Sequence, residues 1–129
     1  MRRPIISVAV ISLFLIVVVG TASSQVIESL AREHYAVGRS HFIAGRYQQA
    51  IIEFSAGYEL TRRPRFLIDL GQAYRKLGHR ERALSFYLRF LAEAAANDRD
   101  RRPVEEIANE LVSRVRSPSH DRATHAAHP

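Results

Sequence analysis

Gly38-Arg39-Ser40-His41-Phe42-Ile43-Ala44-Gly45-Arg46-Tyr47-Gln48-Gln49-Ala50 returns, 33 residues later, as Gly71-Gln72-Ala73-Tyr74-Arg75-Lys76-Leu77-Gly78-His79-Arg80-Glu81-Arg82-Ala83. Phe54 and Gly57 follow the first stretch, Tyr87 and Phe90 the second. Units of this length cannot bury their apolar faces alone and stack into solenoids, so the duplication predicts architecture before any single motif does. Gly38 and Gly71 are expected inside a first helix, where a larger side chain would hold the second helix away. Gly45 and Gly78 are expected to end that helix in the left-handed conformation glycine adopts cheaply. Ala50 and Ala83 then let the returning helix pack close.

Direct alignment of residues 31–63 with 64–96 gives four identities, Arg32/Arg65, Gly38/Gly71, Gly45/Gly78 and Ala50/Ala83, and three of them are these small residues. The pattern resembles the tetratricopeptide repeat, with Gly38, His41, Gly45, Tyr47, Ala50 and Phe54 on signature positions in the first copy. Gly71, Tyr74, Gly78, Ala83 and Tyr87 fill them in the second. The chain departs from the family at Arg80, where an aromatic is favoured, and at His34 and Leu67, where tryptophan is usual. The expected fold is all-α: two tetratricopeptide-type helical hairpins plus a C-terminal capping helix, a short right-handed α-solenoid.

The spacing of apolar residues predicts five helices. The first spans about 26–44, with Ser24 as cap and Ile27, Leu30, His34, Val37, His41 and Phe42 facing inward. The second covers about 47–60 through Ala50, Ile51, Phe54 and Tyr58. Pro64 occupies the first turn of the third, where its missing amide hydrogen costs nothing, and Phe66, Leu67, Leu70 and Tyr74 follow. The fourth, about 81–96, is expected to bury Ala83, Leu84, Tyr87, Leu88 and Leu91.

Arg62-Arg63-Pro64 and Arg101-Arg102-Pro103 open the third and fifth helices, but the prolines lie 39 residues apart, so six residues have been added to that joint. Val104, Ile107, Ala108, Leu111, Val112 and Val115 then repeat at one-sided helical spacing opposite Glu105, Glu106, Asn109, Glu110 and Arg114. Such a helix can close the end of a solenoid.

At the other end of the chain, Met1-Arg2-Arg3, the apolar run from Ile5 to Val19 and the small residues 20–24 follow the order of a secretory signal peptide, with cleavage expected after Ser24 or Ala22. The alternative is an uncleaved anchor, since the run approaches the roughly 20 residues a spanning helix needs. Residues 25–116 are then the helical domain. Residues 117–129, rich in Ser, Pro, Ala and His, are expected to be a disordered tail.

Cysteine is absent, so neither disulfides nor lipidation at a processing site can contribute. The precursor carries 19 basic and 13 acidic side chains, a net charge of +6 that falls to +4 once Arg2 and Arg3 are removed. Eighteen of the basic residues are arginine and only Lys76 is lysine, which points to a GC-rich bacterial genome and to the periplasm as destination. An inner-membrane anchored location is the alternative.

No HExxH, GxSxG, phosphate loop or cysteine nucleophile occurs, so no catalytic residue and no cofactor is expected. His34 and His41 share a helix face seven residues apart and are read as packed core histidines. His120, His125 and His128 lack a frame to hold a metal, and none is expected.

What the resemblance leaves for function is the concave side, formed by the first helix of each repeat. It would present Arg32, Tyr35, Arg39 and Phe42 from the first copy and Arg65, Ile68, Gln72 and Arg75 from the second. Guanidinium forks pair bidentately with carboxylates and stack on flat groups, so these residues are expected to hold a protein or an acidic or C-terminal peptide. The family's chaperone-tail binders use a Lys and Asn clamp that Tyr35, Arg39, Ile68 and Gln72 replace, so that ligand is not implied. The expected role is a non-catalytic interaction module or scaffold outside the cytoplasm. A membrane-anchored assembly subunit is the alternative, and nucleic-acid binding, given the modest basic excess, a weaker one.

Overall fold

The structure is a computed structural model describing residues 6–117, with side chains from residue 23 onward. Its elements are α1 (Ile6–Ile43), α2 (Tyr47–Thr61), α3 (Arg65–Lys76), α4 (Arg80–Glu93) and α5 (Arg101–Arg116), and among the described residues there is no strand. Packing is sequential: α1 lies on α2, α2 on α3, α3 on α4 and α4 on α5. Two helical hairpins and a fifth helix thus stack as a short repeat array does. The signal-peptide reading of residues 1–24, apart from the α1 backbone and residues 23 and 24, lies outside the described residues. So do the tail beyond residue 117 and its three histidines.

The two hairpin turns are built alike. Gly45 and Gly78 take φ of +75° and +80°, a region that disfavours any side chain. In the first turn the Gly45 amide donates to the Phe42 carbonyl at 3.1 Å and the Arg46 amide to that of His41 at 2.9 Å; in the second, Gly78 donates to Arg75 at 3.1 Å and His79 to Tyr74 at 3.0 Å. This pairing satisfies helix-end carbonyls that would otherwise lack donors. Within the hairpins the aromatic of the second helix lies on the glycine of the first. A Cβ on Gly38 would fall 2.7 Å from the Phe54 ring, and one on Gly71 2.6 Å from that of Tyr87. Both rings are fully buried with Ala50 and Ala83 beside them, each removal from water contributing roughly 1.5–3 kcal/mol. The joint between hairpins repeats the device, with Phe66 of α3 against Gly57 of α2.

Several expectations are corrected. Ser24 does not cap the first helix, because α1 passes through it from Ile6. Pro64 stands one residue before α3, not inside its first turn. α4 ends at Glu93 instead of Ala96 and buries Phe90, whereas Leu88 stays 50% exposed. The inward face of α1 is Ala31 and Gly38, flanked by half-buried Tyr35 and Phe42; Ile27, Leu30 and Val37 are 42%, 42% and 38% exposed. Among the described residues no helix lies over them, and the histidines beside them are accordingly not core. His34 is half-buried with Nδ1 2.7 Å from Glu53 Oε2, and His41 accepts a hydrogen bond from Arg46 Nε at 3.0 Å, so neither is a packed core residue.

The added residues of the last joint have a structural job. They deliver Arg101, whose guanidinium donates to the Leu91 carbonyl at 2.8 Å and reaches that of Ala94 at 3.4 Å, completing the C-terminus of α4. α5 then buries Val104, Ala108 and Leu111 and keeps Glu105, Glu106 and Glu110 exposed in ion pairs with Arg101, Arg102 and Arg114.

Candidate functional site

Between residues 28–35 of α1, the N-terminal end of α3 and the α2–α3 linker a cleft of about 210 Å³ opens. Its apolar wall is Ala31, Tyr35 and Phe66, and its polar rim is Glu28, Arg32, Arg63 and Arg65. Tyr35 is held by its neighbours: its ring meets Phe66 edge-on at 6.0 Å and 77°, and Phe54 at 6.2 Å and 44°. The aromatic wall is therefore continuous with the core beneath it, and a ligand placed there meets a surface already ordered.

The arginines of the rim are engaged but not committed. Glu28 lies 2.9 Å from Arg63 and 3.6 Å from Arg32, while Arg65 donates to Asp100 at 2.5 Å. The Arg32, Arg63 and Arg65 side chains remain 73%, 60% and 49% exposed, and pairs of that kind are worth about 0–1 kcal/mol. An incoming carboxylate can replace Glu28 at small cost and gain a bidentate partner.

Behind Arg65 lies Asp69, a carboxylate buried to 2% exposure whose Oδ2 has no hydrogen bond and is 3.9 Å from Arg65 Nε. Burial raises its pKa to about 6, against the lowering effect of the Arg65 and Arg39 charges. The Tyr87 hydroxyl is likewise buried without a partner, and burial raises its pKa too. Together they place two unsatisfied polar groups under the α3 side of the molecule.

A second cleft, of about 340 Å³, lies at the opposite end of α3, lined by Arg75, Gly78, Arg80, Glu110, Leu111 and Arg114. Ten residues of helix separate Arg65 from Arg75, a rise of roughly 15 Å. Of the eight residues read from sequence as partner-binding, the structure brings Arg32, Tyr35 and Arg65 together and puts Arg75 at the other cleft. Arg39 and Gln72 are half-buried and line neither cleft. Phe42 packs edge-on against Tyr47 at 5.3 Å, closing its own hairpin, and Ile68 is core at 4% exposure. Compared with known proteins, the chain matches no family model, no curated protein and no solved structure.

Sequence reasoning missed Glu28, Ala31 and Arg63, and read Phe66 only as core. The Arg65/Asp69 spacing of four on one helix was a visible signal for a buried acid beside the rim. Nothing in the sequence distinguished Arg63, a linker residue, from its neighbour Arg62. Among the described residues no group of three His, Asp or Glu side chains is disposed to hold a metal ion.

Proposed function

We propose that the chain is a non-catalytic protein-interaction module of the tetratricopeptide type, acting outside the cytoplasm, which takes an acidic peptide segment into the cleft between α1 and α3. The observation that carries this reading is the convergence of Arg32, Arg63 and Arg65 around the Tyr35–Phe66 wall. Aromatic faces accept an apolar side chain, and the guanidinium groups accept a side-chain or terminal carboxylate. The charge balance of the rim, three arginines against Glu28, selects an anionic partner.

A fluorescently labelled peptide carrying glutamates around one aromatic residue tests this by anisotropy. The double variant Arg32→Glu with Arg63→Glu reverses charge at two exposed positions and should weaken binding by about tenfold or more, the scale of one lost charge-assisted contact. Arg99→Glu with Arg116→Glu lies outside the cleft and should leave affinity unchanged. Equal affinities for both variants would sink the proposal. A steep loss of binding with added salt, seen with single-stranded DNA in place of the peptide, would favour the nucleic-acid alternative.

The second reading is a membrane-anchored assembly subunit. It is favoured by the unbroken α1 backbone, which runs from Ile6 across Ser24 into the first hairpin. Among the described residues no helix is long and apolar enough to cross a membrane, and the side chains of the apolar run of residues 5–19 lie outside that set.

A further inference from the structure

Asp69 sits one helical turn beyond Arg65 on α3, 2% exposed, with Oδ2 accepting no hydrogen bond. The guanidinium nearest to it serves other groups as well. Arg65 Nε is 3.9 Å from Asp69, Nη1 donates to Asp100 at 2.5 Å, and the same side chain, 49% exposed, edges the α1–α3 cleft. The other charged groups that act on Asp69 are Arg39 from α1 and Asp100 from the α4–α5 linker, and on α4 the buried Tyr87 hydroxyl feels Asp69 in turn. One cation, divided between two acids, thus stands between a buried carboxylate and the place where an anionic ligand is taken up.

We infer that the cleft is proton-coupled: uptake of an acidic segment at Arg65 is accompanied by protonation of Asp69, so the module holds its partner more tightly in acid. This rests on the acidic-peptide reading of the cleft. The coupling is electrostatic. A ligand anion on Arg65 draws the guanidinium outward, away from a carboxylate it already fails to reach, and adds a negative charge on the same side of the molecule. Both changes disfavour the ionised form of Asp69, at a buried position where salt and water screen them little. The carboxyl is already poised to titrate, because burial lifts its pKa to about 6 and only partly yields to Arg65 and Arg39. Linkage fixes the sign. A ligand that raises this value further binds more tightly as pH falls between the bound and free values, and its affinity levels off below about 6.

The probe is the labelled aromatic-centred peptide with cysteic acid in place of each glutamate, capped at both ends, so that its sulfonates stay ionised throughout. Anisotropy with the full chain at constant salt should show binding about threefold or more tighter at pH 5.5 than at pH 7.5, since each unit by which the ligand raises the Asp69 pKa is worth up to about tenfold. Asp69→Asn fixes the neutral form and should show the tighter affinity at both pH values. The histidines and Glu28 are unchanged in this variant, so a pH dependence that survives in it belongs to them and overturns the inference. If Asp69→Asn does not fold, the unaltered chain decides: the Asp69 carboxyl carbon, followed by NMR, should titrate at higher pH with saturating peptide than without, and an unmoved midpoint overturns the coupling. Equal affinity of the unaltered chain at both pH values also overturns it while leaving the peptide reading intact, whereas no binding at either pH removes both.

Discussion

Arg65 stops 3.9 Å short of the Asp69 carboxylate and spends its nearer hydrogen bond on Asp100 at 2.5 Å. The buried acid therefore keeps an unsatisfied oxygen, and burial outweighs the guanidinium in setting its pKa near 6.

The sign of the resulting pH dependence follows from linkage. The folded-state value lies above the unfolded one, so Asp69 holds its proton more tightly in the folded protein, and stability falls as pH rises from about 4 through about 6. Above that window a constant cost remains, at most about 3 kcal/mol for a shift of roughly two units. Asp69→Asn should flatten this segment of the stability profile and raise the denaturation midpoint at pH 7.5. A midpoint that drops at pH 7.5 and is unchanged at pH 4 would show that the ionised carboxylate stabilises the fold.

Ala83→Leu should destabilise the protein by about 1–3 kcal/mol, because the added methylenes have no free space at a fully buried contact between α3 and α4. Ala94 follows the last residue of α4 and is only half-buried, so Ala94→Leu should cost far less. Urea denaturation of the two variants distinguishes them, and equal midpoints contradict the repeat register.

The register itself was legible from four small residues. Gly38, Gly71, Gly45 and Gly78 stand where the pattern puts them, because close helix approach and left-handed turns leave few alternatives to glycine. Which side of α1 is wet was not legible. Periodicity marks an apolar stripe but not whether a neighbouring helix covers it, so Ile27, Leu30 and Val37 looked like core. The cleft was half legible: Arg32, Tyr35 and Arg65 follow from the register, whereas Arg63 and Glu28 come in through the path of the α2–α3 linker. That path depends on Phe66 meeting Gly57, a contact between residues that no repeat pattern pairs.

Across α2 and α4, the Tyr58 hydroxyl donates to Glu93 at 2.6 Å and accepts from Arg89 at 3.0 Å. Tyr58→Phe removes both bonds while keeping the buried ring and should cost about 1 kcal/mol. Thermal unfolding measures it. Because Glu93 loses one of the donors that hold its pKa down, its titration, followed by NMR, should move upward in the same variant.

Intact-mass analysis of the chain from its own host checks the processing expectation. A species beginning at Gln25 or Ser23 is expected. Retention of residues 1–24 in a membrane fraction would replace it with the anchored reading.

Gly57 and Phe66 form a matched pair, and neither hairpin contains both halves of it. Thirty-three residues on from Gly57 stands Phe90, and thirty-three before Phe66 stands Glu33. Duplicating the second hairpin would drive one large ring into another, and duplicating the first would set an acid against a glycine and leave a hollow. An exact copy of either hairpin would therefore break this joint, and any further hairpin stacked here would need a small residue and a ring of its own to meet across it.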